Sequence, residues 1–231
     1  MSKTAILVDG GFYRQKFEKG CTHAPQEAAN ALIRYCYRHL REHHTEHELY
    51  RIYYYDCKPC EKKIFHPLLN RTIDFKKSDY HKWMTAFLAE LTKKRKVALR
   101  IGELDEGSAV FTLTNSATKD IVTKKRTIDD LTESDFSPSI KQKGVDMKIG
   151  MDIASLSYKG QVEQIVLIAG DADFVPAAKL ARREGIDFVL DPLGHPIKET
   201  LFEHIDGKRS CGDPYITPKT EYKKEFAGTI L

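Results

Sequence analysis

Apolar residues in this chain fall into short unbroken runs, and between the runs they recur at helical spacing. Residues 4–8, 49–55, 97–104, 165–169 and 186–190 are runs rich in β-branched or aromatic side chains, the pattern of strands buried on both faces. Between them, residues 25–47 set Ala28, Ala29, Leu32, Ile33, Cys36, Tyr37 and Leu40 three or four apart, which predicts a helix. Residues 79–96 do the same with Trp83, Phe87, Leu88 and Leu91, and residues 145–158, 174–184 and 197–204 complete the helical set. Residues 12–16 read as a short helical or irregular piece. Strands alternating with helices predict an α/β fold, a mostly parallel sheet with helices on both faces.

Two stretches break the alternation. Residues 57–65 read as a lysine-bearing loop. Residues 105–143 turn polar, rich in Thr, Ser and Lys, with β-like pieces only at 110–114 and 120–127. They are read as an insertion, a hairpin and a loop, on the working face of the core. Residues 207–231, with Pro214, Pro218 and Gly228, read as a C-terminal tail. That leaves one domain at 3–206.

Composition narrows the classes. The 231 residues carry a formal net charge of +4, which permits a polyanionic partner without demanding one. No stretch approaches the roughly 20 apolar residues of a membrane span, so no membrane partner is expected. Five cysteines and no signal-peptide pattern lead to the expectation of reduced thiols and a cytoplasmic protein. Cys57-Lys58-Pro59-Cys60 is a single pair, and a structural zinc needs four ligands. His39, His43, His44 and His47 are near in sequence, but ordinary loop cysteines are the simpler reading. Tyr53, Tyr54 and Tyr55 lie within one strand, so core packing accounts for them better than base stacking. Lys93–Lys96 has a structural reason as well, the favourable end of a helix dipole.

The chemistry sits in carboxylates. Asp9 follows the first strand directly and is trailed by Gly10 and Gly11. Asp171 and Asp173 follow the strand at 165–169, where the chain hands over to a helix, and Asp146 opens the helix at 145–158. Any one of these acids could be an N-cap. Together, in a parallel sheet, they converge on one edge, and an oxygen-only donor set suits a hard cation, Mg²⁺ or Mn²⁺. Asp152 lies six residues beyond Asp146, a rotation of roughly 240° beyond full turns, and ranks behind the other four. Lys124, Lys125, Arg126, Lys141 and Lys143 are candidates for a phosphate backbone.

Three segments, AILVDGGF at 5–12, KGVDMKIGMD at 143–152 and IVLIAGDADFVP at 165–176, resemble the signatures of the NYN domain family, the LabA-like branch of the PIN-like nucleases. The resemblance covers most of 3–206, apart from the insertion and the tail. It implies a Rossmann-like core and a Mg²⁺- or Mn²⁺-dependent ribonuclease. By motif, Asp9, Asp146, Asp171 and Asp173 would be catalytic metal-site acids, and Asp152 matches a recurrent acid of the second signature. The implied partner is RNA, taken as single-stranded, and a homo-oligomer is left open. Many members place an asparagine shortly after the first aspartate, where this chain has Gly11-Phe12-Tyr13. A non-catalytic nucleic-acid-binding or regulatory protein on the same fold is therefore the alternative. A phosphatase using Asp9 as nucleophile ranks third, because position 11 is glycine rather than a second aspartate.

Overall fold

A computed structural model describes residues 2–42 and 45–216; His43, His44 and most of the expected tail lie outside these residues. Strand β1 (Lys3–Asp9) leads into α1 (Gly10–Phe17) and α2 (Pro25–Arg38). A two-stranded ribbon, β2 (Arg41–Glu42) with β3 (Thr45–Glu46), precedes β4 (Glu48–Cys57). Next come the hairpin β5 (Lys63–His66) and β6 (Arg71–Asp74), helix α3 (Asp79–Thr92) and the long β7 (Val97–Leu113). Helix α4 (Asn115–Val122), β8 (Phe136–Lys143) and α5 (Val145–Tyr158) follow. The chain closes with β9 (Gln164–Ile168), α6 (Val175–Arg183), β10 (Asp187–Asp191), α7 (Glu199–Phe202) and β11 (Gly207–Lys208).

Seven strands form one sheet in the order β11-β10-β9-β1-β4-β7-β8. Every pairing is parallel except β7 with β8. The pleat sends alternate side chains to opposite faces. Ala5, Leu7, Tyr53 and Tyr55 pack with Ile149 and Ile153 of α5 and Ala178 of α6. Ile6, Val8, Ile52 and Tyr54 pack with Leu32 and Cys36 of α2 and Phe87 and Leu91 of α3. All three tandem tyrosines are therefore core residues. The α/β fold, with its mostly parallel sheet covered on both faces, is the one expected.

Several boundaries differ from expectation. The helix expected over 25–47 ends at Arg38, where the next side chain, His39, turns to Asp191 at the end of β10. His39 bonds the buried Asp191 at 2.9 Å, and Arg38 donates to the Cys211 and Asp213 carbonyls. The helix expected to reach residue 96 stops at Thr92, and the loop at 57–65 already contains the start of β5.

The polar insertion holds more regular structure than its composition suggested. β7 runs on for 17 residues and pairs with β8, with a register shift between Asp105 and Val110. A small satellite core of Cys60, Ile64 and Ala109, joined by Leu104, Phe111 and Ile140, holds this arm. The β-like piece expected at 120–127 overlaps α4 instead; the Thr114 hydroxyl caps that helix by accepting from the Ala117 N–H. Gly207–Lys208, where the tail was expected to begin, adds the edge strand beside β10.

Candidate active site

The strand order reverses beside β1. β4 and β7 lie successively on one side of it, and β9 and β10 on the other. In a doubly wound sheet, the crevice beyond the carboxyl ends of the strands at such a reversal is the ligand site. Asp9 is the last residue of β1, and Asp171 and Asp173 follow β9. Asp146 enters from the first turn of α5. Three separate segments thus bring acids to one crevice.

Asp9 is both cap and charge. Its Oδ1 accepts the Phe12 N–H at 3.1 Å, closing the N-terminus of α1. Burial pushes its pKa up to about 6, and the neighbouring charges of Asp146 and Asp56 add to the shift, against the lowering pull of the Phe12 and Gly11 N–H groups. Asp146 is also raised, by partial burial and then by the charges of Asp171 and Asp173. Asp171 caps the turn after β9, accepting the Asp173 N–H at 3.1 Å. The acids are close enough to act on one another electrostatically, and a cation would relieve that repulsion.

Beneath Asp9 lies a buried ion pair. Arg14, one turn into α1, grips Asp56 at the end of β4 with two bonds of 2.9 Å. Asp56 also accepts from the Tyr54 hydroxyl and the Cys57 N–H. Gly10 is what lets α1 come this near. A Cβ on it would lie 2.5 Å from both the Asp56 Oδ2 and the Tyr54 hydroxyl. Since that network is pinned on every side, Gly10→Ala is expected to cost about 2–3 kcal/mol, the scale of overpacking. A urea melt checks it; a midpoint matching wild type would show that the pair gives way.

The model of the NYN domain family matches residues 4–192, a span holding all four acids. The chain belongs to the NYN domain family. Its sheet is accordingly that of a PIN-like nuclease fold. No protein of curated function matches. A crystal structure from Vibrio parahaemolyticus, of a protein described as of unknown function, is similar over 94% of this chain and 96% of that one. Its identity is 14% and its TM-score 0.46.

Within this NYN domain the donor set fits a hard cation chemically, being made of carboxylate oxygens alone. It is not a ready-made cage: among the described residues, no three His, Cys, Asp or Glu side chains are grouped to hold a metal ion. Asp152 is engaged elsewhere, accepting from Arg100 Nε and the Tyr55 hydroxyl, each at 2.8 Å.

The basic candidates divide. Arg126 is clamped on Asp135 through bonds of 2.9 and 2.7 Å and also donates to the Asp130 carbonyl, so it holds the insertion together. Lys143 pairs with Asp105 at 2.8 Å. Lys124 and Lys125 are exposed just past α4, and Lys141 is exposed on β8. Cys21, Cys36, Cys57 and Cys60 are free thiols, with Cys57 pushed up to about 11 by burial and by Asp56. His39 is turned to Asp191.

Three features escaped the sequence. Arg14 and Asp56 are 42 residues apart, and nothing local links them. Phe12 bridges two acid-bearing turns: its ring crowds Gly170, where a Cβ would lie 2.5 Å from it, and faces His195 at 5.7 Å. Gln142 ends up opposite Gly11, with its Oε1 4.0 Å from where a Cβ on that residue would lie. A glycine directly before Asp171 was the available signal for the Phe12 contact.

Proposed function

We propose that this protein is a metal-dependent endoribonuclease of the LabA-like branch, cutting single-stranded RNA with Mg²⁺ or Mn²⁺ held by Asp9, Asp146, Asp171 and Asp173. The observation that carries the reading is the position of acids from three segments at the strand ends beside the switch point of a NYN sheet. When bound, the metal supplies Lewis-acid activation of the phosphodiester and of an attacking water.

The chain's own residues set the stage for that chemistry. Asp9 and Asp171 each give one oxygen to a cap and keep the other for the site. The Arg14–Asp56 pair fixes the floor under Asp9. Lys124, Lys125 and Lys141 offer charge to the RNA backbone; Lys143 and Arg126 do so only by leaving their partners. Asp152 gives Oδ2 to Arg100 and Tyr55 and ranks behind the other four as a ligand.

The test is cleavage of single-stranded RNA with either metal, wild type against Asp146→Asn and Asp171→Asn. Each variant is expected to lose about a hundredfold or more, the scale for removing a charged group that acts at the reacting phosphate. Equal cleavage by the variants, or none by wild type with either metal, defeats the catalytic reading. Gly11-Phe12-Tyr13, in the stretch where many members have an asparagine, favours a second reading: an RNA-binding protein without turnover. Salt-dependent RNA binding with no product would establish it.

A further inference from the structure

A cavity of about 330 Å³ is lined on one side by the Arg14–Asp56 ion pair. Its size is at the lower end of small-molecule sites, which span roughly 300–1,000 Å³, enough for one nucleotide unit but not for a folded RNA element. One wall is the inserted arm. On β8, residues two apart share a face, and Pro138, Ile140 and Gln142 all line the cavity. Phe75 and Tyr80 supply aromatic surface on another side, and Tyr80 is fixed by a 2.8 Å bond from Arg14.

The cavity and the acids are linked through Asp56. Arg14 and Asp56 line the cavity, and Asp56 is also one of the charges acting on Asp9. Gln142, which lines the cavity, also approaches Gly11: a Cβ on Gly11 would lie 4.0 Å from Gln142 Oε1 and 3.4 Å from Asp9 Oδ1. Carboxylate and amide therefore face the same side-chain-free position. A group bound in the cavity is one short step from a phosphate held at Asp9.

We propose that this cavity receives an unstacked nucleobase of the single-stranded substrate, next to the scissile phosphate, and that Gln142 reads its edge. Apolar and aromatic walls with few polar groups are how proteins hold a base splayed out of a strand. An amide that both donates and accepts can discriminate between base edges. The inserted arm is on this account a specificity wall. The inference rests on the ribonuclease reading for its phosphate but can fail separately from it.

The experiment is calorimetric titration with AMP, CMP, GMP and UMP, followed by mapping of cleavage sites in a random-sequence RNA. Wild type is expected to bind at least one nucleotide and to prefer it over the others. Ile140→Trp, which fills the cavity, is expected to weaken that binding at least tenfold. Gln142→Ala is expected to shrink the ratio between best and worst nucleotide about fivefold and to flatten the base preference beside the cut. Circular dichroism establishes that Ile140→Trp folds; if it does not, Gln142→Ala decides. No nucleotide binding by wild type overturns the pocket, as does binding that folded Ile140→Trp leaves intact. An unchanged nucleotide ratio and cleavage pattern in Gln142→Ala overturn the role given to Gln142. Nucleotide binding that Ile140→Trp abolishes, with no RNA cut by wild type, supports the pocket and sinks the nuclease.

Discussion

Asp9→Asn is expected to abolish RNA cleavage and, in the absence of metal, to make the folded protein more stable at pH 7.5. The two effects share one cause. Below about pH 3.8 Asp9 carries a proton in both the folded and the unfolded chain. Between pH 3.8 and about 6 the unfolded chain releases that proton while the folded chain retains it. Native stability therefore declines as pH rises through this window, and above it the buried carboxylate is charged at a cost. The rise from 3.8 to about 6 corresponds to about 3 kcal/mol. Asparagine removes the charge and still caps α1, since Asn and Asp are similar N-caps. A gain of about 2 kcal/mol at pH 7.5, fading towards pH 4, is the expected result of urea melts across pH. Added Mn²⁺ should then stabilise wild type but not Asp9→Asn. Metal-dependent cleavage by wild type should fall as pH drops through about 6, where protons compete for the carboxylate. A variant less stable than wild type at pH 7.5 would contradict the idea that Asp9 is held at a cost.

What the sequence displays depends on the range of the force at work. Buried strands are legible because β1, β4 and β9 are apolar on both faces, so their runs need no context. The strand-end acids are legible for the same reason: Asp9 marks the first polar position after such a run. The inserted arm was partly hidden. Its strands are half-exposed and interrupted by a register shift, and only Leu104, Ala109, Phe111 and Ile140 reach a small core. α4 looked β-like because Ile121-Val122-Thr123 favours strands locally, while the Thr114 cap and the buried Ala117 make it a helix. The end of α2 was hidden too, where His39 turns to Asp191, 152 residues away. Asp152 shows the limit from the other side. Its motif position was visible, but not the Arg100 guanidinium waiting for it on the neighbouring strand.

Arg14→Met is expected to be the most destabilising single change near the site, and to alter the pH dependence of catalysis. Methionine keeps much of the apolar stem but leaves Asp56, 1% exposed, without its counter-ion. Breaking a buried pair by removing one partner typically costs about 3–5 kcal/mol, because the remaining charge stays buried. Arg14→Lys should recover only part of this, since an ammonium cannot reproduce the two-bond grip on Asp56. Arg14→Met/Asp56→Asn should recover more than Arg14→Lys, because it removes the stranded charge itself. The functional consequence follows from Asp56 acting on Asp9. With the guanidinium gone, that negative charge is no longer balanced, so Asp9 holds its proton to higher pH. The acidic limb of the metal-dependent rate should move upward with it in Arg14→Met, and return towards wild type in the double variant. Urea melts and a pH–rate profile on the three variants separate the two effects. Equal stability of Arg14→Met and wild type would remove the pair from the floor of the site, and an unmoved acidic limb would uncouple it from Asp9.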